Sequence, residues 1–110
     1  MPPDREQRQH HRIRYPLSER PKLHCADRIH AVLDISARGL RYAIADGLLP
    51  EPHDLIQGVL RFRHHAAINI EGTVVRVQNG EAALYLHHEI PFAALLAEQR
   101  YLHQHYPMWS

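Results

Sequence analysis

The stretch His30-Ala31-Val32-Leu33-Asp34-Ile35-Ser36-Ala37-Arg38-Gly39-Leu40-Arg41-Tyr42-Ala43-Ile44 decides how the chain is read. It opens with a short apolar run containing β-branched side chains. It closes with an alternating run that puts Leu40, Tyr42 and Ile44 on one face. Between them the residues have turn chemistry: Asp34 and Ser36 side chains bond local backbone readily, and Gly39 tolerates positive φ or a close approach to its backbone. Two antiparallel strands joined by a tight bend result. Side chains alternate along a strand, so Asp34 and Ser36 point the same way while Ile35 faces the core.

Working outward, Leu23 and Cys25 alternate with polar neighbours before this hairpin. After it, Leu55 to Phe62 and Ala67 to Val77 read as longer strands with His64-His65 at the turn between them. Asn79-Gly80 is a strong signal for a type I′ hairpin, and Ala82 to Leu86 returns from it. The period then changes. Pro91 suits a helix start, and Phe92, Leu95, Leu96, Gln99, Leu102 and Tyr106 follow helical spacing, with Glu98, Arg100 and Gln104 expected outward and Pro107 ending the helix. With no helical crossover between strands, the chain is expected to be mainly β: a small six-stranded antiparallel β-barrel with an N-terminal arm and a C-terminal α-helix. One domain is expected, made of a flexible arm over residues 1–20, a barrel over 21–89 and the helix over 90–107. Prolines 2, 3, 16 and 21 interrupt the arm, but Ile13, Tyr15 and Leu17 alternate, so its end is expected along a sheet.

At 110 residues, with 45% hydrophobic and 23% charged residues, the chain suits a single small core. No apolar run approaches the roughly 18 residues of a membrane helix. Met1 to Arg5 lacks a secretory apolar segment, so a cytoplasmic location without membrane insertion is expected. Cys25 is the single cysteine, which excludes an intramolecular disulfide and reads as a half-buried strand position. The net charge of +1 argues against nucleic acid as a partner. The paired histidines lack zinc-site spacing, and no catalytic constellation or phosphate loop stands out, so neither a metal nor enzymatic activity is expected. Met108 and Trp109 form an apolar tail that either docks on a partner or folds back.

The remaining chemistry lies in two short motifs. Arg8-x-x-x-Arg12 places two planar guanidinium forks on the arm, suited to phosphate oxygens or the O6/N7 edge of guanine. Asp34-x-Ser36-x-x-Gly39 supplies a carboxylate that accepts from guanine N1–H and N2–H₂, a hydroxyl, and a glycine allowing close approach. In this order the motifs resemble the PilZ domain family of bacterial cyclic di-GMP receptors, over nearly the whole chain. The resemblance implies that Arg8 and Arg12 grip phosphates and guanine faces, while Asp34, Ser36 and Gly39 line a base pocket. It implies Arg76 as the ligand-facing residue of a later strand. Many members carry arginines beside the first motif arginine, where this chain has Gln7 and Gln9. Ala82-Ala83-Leu84 also lacks the family's usual glycine. Cyclic di-GMP is thus the expected ligand, with no cofactor, and an unidentified protein partner receives the signal in motility or exopolysaccharide control. The alternatives are an adaptor of the same fold that binds only proteins, and a nucleic-acid-binding barrel.

Overall fold

The computed structural model describes residues 11–45 and 49–109. Its strands are β1 (Ile13–Arg14), β2 (Lys22–Cys25), β3 (Arg28–Ile35), β4 (Gly39–Ala43), β5 (Leu55–Arg61), β6 (Ile68–Gln78) and β7 (Glu81–Leu86), followed by helix α1 (Phe92–His105). Neighbouring strands pair antiparallel in the order β3-β2-β5-β6-β7-β4, and β4 pairs back onto β3, so six strands close a barrel and β1 is an extra one. Leu23, Val32, Ile35, Leu60, Val74 and Leu86 are fully buried inside it. The mainly β barrel with a C-terminal helix expected from the sequence is what the chain forms.

Asn79 and Gly80 have φ of 55° and 74°, the doubly positive geometry of a type I′ turn. A second such turn, at Ala26 and Asp27 (φ 49° and 64°), joins β2 to β3 without the glycine that would have announced it.

β3 has two partners along one edge. β2 pairs with its first half, and β1 takes over at Asp34 and Ile35, with Ile13 opposite Ile35 and Arg14 opposite Asp34. The end of the arm is therefore built into the barrel. Ile13 and Tyr15 are buried, and the Tyr15 N–H donates to the Leu33 carbonyl at 3.1 Å. Trp109 folds back on this strand, its indole N–H donating to the Arg14 carbonyl at 2.7 Å with the Arg14 guanidinium 5.5 Å from its ring. Met108 stays exposed.

Helix α1 corrects the sequence reading of its faces. Glu98, expected outward, is buried, and Phe92, expected in the apolar stripe, is 75% exposed. The inward face runs through Ala94, Leu95, Glu98, Tyr101 and Leu102. Glu98 faces inward because its carboxylate finds a donor there: Tyr15 Oη donates to it at 2.5 Å, and His65 Nε2 lies 2.8 Å away without making a hydrogen bond.

A second cluster ties the turn at Leu17–Glu19 to α1 and to the β5–β6 loop. Glu19 accepts from Tyr106 Oη at 2.7 Å, with His64 Nε2 at 3.1 Å and Arg63 Nε at 3.6 Å. His64, Tyr101 and His105 stack successively at 4.1 and 4.0 Å. Burial pushes the Glu19 carboxyl up, but the Tyr106 and His64 hydrogen bonds and the nearby His64 and Arg63 charges outweigh it and hold the pKa below its ordinary 4.5. A carboxyl lowered on folding adds stability that is complete above its ordinary pKa and is lost as pH falls through the folded value. Urea denaturation of Glu19→Gln is therefore expected to lose less stability than wild type as pH falls below 4.5. Identical acid limbs in the two proteins would rule out this contribution.

Candidate functional site

The outer face of the barrel around the β3–β4 bend carries the candidate site. Two β-bulges set it up. Val32 pairs with Tyr42 and Asp34 with Arg41, leaving Leu33 as an extra residue in β3. In β6, Val74 pairs with Leu84 and Arg76 with Ala83, leaving Val75 extra. An extra residue reverses the in–out alternation beyond it. Val32 and Val74 therefore point into the core while Asp34 and Arg76 face outward. Arg14, Asp34, Arg41, Ala83 and Arg76 form one row across five strands.

Asp34 lies at the centre. Its side chain is 1% exposed, because arginines cover it. Arg12 Nη1 donates to Oδ1 at 2.7 Å, and Arg41 grips Oδ2 with Nε at 2.8 Å and Nη2 at 2.7 Å. Arg41 Nη1 also reaches Glu81 Oε1 at 2.7 Å. Hydrogen bonding to Asp34, opposed by partial burial and helped by the Asp34 and Glu81 charges, pushes the Arg41 pKa above its ordinary value. The charge-assisted fork fixes one carboxylate oxygen, while among the described residues the other is held by Arg12, whose side chain is 45% exposed.

The bend beside it is rigid. The Ser36 N–H donates to the Gly39 carbonyl at 2.8 Å, and the Ala37 and Arg38 carbonyls accept from Ile90 N–H at 2.9 Å and Leu86 N–H at 2.8 Å. Ser36 is buried. Gly39 does not have the positive φ that its sequence context allowed; among the described glycines, Gly80 does. Space explains it instead: a Cβ there would stand 3.1 Å from Ser36 Oγ and 3.8 Å from Arg12 Nη2. The missing side chain leaves a cradle between the hydroxyl and the guanidinium.

Of the residues singled out from the sequence, Arg12, Asp34, Ser36 and Gly39 converge at this corner. Arg76 is on the same face, beyond Arg41 and Ala83, and borders a 40 Å³ hollow with Arg41 and Glu81. Arg8 lies outside the described residues. Sequence reasoning missed Arg41 and Tyr85. Arg41 follows Gly39 by two residues on one strand, and that spacing alone put it on the same face. Tyr85, half-exposed, is opposite Gly39 in β7, with the Arg38 guanidinium 5.7 Å from its ring.

Chemically, the corner offers a hydrogen-bond acceptor, a hydroxyl and several cations around the space above Gly39. That set suits an anion carrying a planar base. Among the described residues, no three metal-ligating side chains converge and no helix is long and apolar enough to cross a membrane. A search of curated proteins finds no match to this chain. The model of one protein family, described as the PilZ domain, matches residues 6–103. That span takes in most of the arm, every barrel strand and nearly all of α1, so the chain belongs to the PilZ domain family.

Proposed function

We propose that this protein is a non-enzymatic receptor that binds cyclic di-GMP at the Arg12–Asp34–Ser36–Gly39 corner and signals to a protein partner. The family is one of cyclic di-GMP receptors. The observation that carries the reading for this chain is the divided Asp34 carboxylate, with Oδ2 fixed by Arg41 and Oδ1 held, among the described residues, by Arg12. Binding is then an exchange. Guanine N1–H and N2–H₂ take over Oδ1, and Arg12 turns to a phosphate or a guanine edge, joined by Arg8. Ser36 and the Gly39 cradle accept the base edge, and Arg76 and Arg41 add positive charge along the same row. A ligand shifts the arm only by its differential affinity for the two arrangements, so the cost of breaking the Arg12–Asp34 pair offsets part of the binding energy.

Calorimetry with cyclic di-GMP on the full chain is expected to give saturable binding that Arg8→Ala/Arg12→Ala removes. No heat at millimolar ligand overturns the assignment and leaves a protein-only adaptor. Binding of single-stranded RNA that weakens steeply with salt and tolerates Asp34→Ala would instead favour a nucleic-acid module.

A further inference from the structure

Gly39 and Tyr85 stand directly opposite each other across β4 and β7. The Leu86 N–H donates to the Arg38 carbonyl at 2.8 Å, so Arg38 and Leu86, one residue further along, are a hydrogen-bonded pair. Gly39 and Tyr85 are therefore a non-hydrogen-bonded pair, the kind whose side-chain positions lie closest in an antiparallel ladder. Leu40 and Leu84, the pair on the other side, are both buried, so Tyr85 projects outward beside the space above Gly39. Ser36 Oγ and Arg12 Nη2 border the same space, 3.1 and 3.8 Å from where a Gly39 Cβ would stand.

The ring is held from one side and open on the rest. The Arg38 guanidinium lies over it, 5.7 Å from its centroid. That guanidinium is itself anchored: Nη1 donates to the Leu86 and His87 carbonyls at 3.2 and 3.1 Å, and Nε lies 3.6 Å from Glu89 Oε2. An anchored cation on the ring lowers the ordering cost of binding against it. Tyr85 is nevertheless 49% exposed, an aromatic surface that the core does not use. Asp34 on β3 and Tyr85 on β7 are two strand spacings apart, roughly 10 Å, with β4 and its Gly39 between them. A guanine that meets Asp34 Oδ1 and occupies the Gly39 cradle has Tyr85 as its neighbour on the far side.

We propose that Tyr85 is a further ligand-binding residue of this corner, its ring stacking against the guanine held by Asp34 and the Gly39 cradle. The inference rests on the cyclic di-GMP reading and adds to it a contact with the face of the base rather than its edge. Asp34 then selects guanine, while Tyr85 supplies affinity, since every base has a face to stack.

Calorimetry of cyclic di-GMP with full-length Tyr85→Phe and Tyr85→Leu tests this, with thermal melts reporting that each variant folds. Phenylalanine keeps the ring and is expected to bind within about twofold of wild type, whereas leucine keeps only apolar cover beside Gly39 and is expected to bind about tenfold more weakly or worse. In wild type with isotope-labelled tyrosine and saturating cyclic di-GMP, Tyr85 ring protons are expected to show nuclear Overhauser effects to the carbon-bound proton of the guanine base. Wild-type affinity in the leucine variant, or the absence of those effects, overturns the stacking role and leaves the cyclic di-GMP reading in place. Equal losses in the two variants overturn it as well, since the hydroxyl and not the ring is then what acts. Wild type that does not bind cyclic di-GMP overturns the reading of the corner, and this inference with it.

Discussion

Asp34→Asn is expected to weaken cyclic di-GMP binding by roughly 100-fold or more while the barrel stays folded. Asparagine keeps the shape but replaces one acceptor oxygen with a donor and removes the charge. Charge-assisted hydrogen bonds contribute about 1.5–3 kcal/mol each, and about 3 kcal/mol corresponds to more than 100-fold in Kd. Stability responds less. The partner arginines are 45% and 32% exposed, so water replaces the carboxylate, and the desolvation cost of a buried charge disappears with it. A loss of about 1–2 kcal/mol is expected. Calorimetry and a thermal melt on the same sample separate the two effects. Wild-type affinity in the asparagine variant would remove Asp34 from the site, and an unfolded variant would make it a structural residue.

Tyr15→Phe is expected to destabilise the protein by about 1.5–3 kcal/mol, a fall in Tm of roughly 10 °C, because it withdraws a hydroxyl donor from the buried Glu98 carboxylate. Burial first, then the Glu98 charge and hydrogen bond, push the Tyr15 pKa far upward, so the phenol stays a donor throughout the accessible pH range. The double variant Tyr15→Phe/Glu98→Leu is expected to recover part of the loss, since it removes both partners of the bond, while the buried His65 Nε2 loses the carboxylate 2.8 Å from it. A double-mutant cycle in urea measures the coupling. Additive effects would show that the pair does not fasten the arm to α1. Tyr15 follows Arg12 by three residues, so loosening it also makes ordering the arm costlier, and ligand binding is expected to weaken a few-fold.

Much of this was legible locally. The alternation of Leu40, Tyr42 and Ile44, the Asn79-Gly80 turn and the helical spacing after Pro91 each depend on residues a few positions apart. The Ala26-Asp27 turn was not, because neither residue is the glycine that usually marks positive φ. Glu98 was misread because charge normally marks an exposed helix face. Its burial depends on the hydroxyl of Tyr15, which lies far from it in the chain.

The candidate site divides in the same way. Order and spacing of Arg12, Asp34, Ser36 and Gly39 belong to the sequence by itself, as do the strand–bend–strand that carries three of them and the mainly β class. That Arg12 pairs with Asp34, that Arg41 holds the opposite oxygen, and that Asp34 and Arg76 share one outer row were decided by tertiary structure. β1 reaches Asp34 by taking over the β3 edge where β2 ends, and the extra residues Leu33 and Val75 reverse the pleat. Strand pairing across a closed barrel sets such registers through contacts distant in the chain, and no local periodicity encodes them.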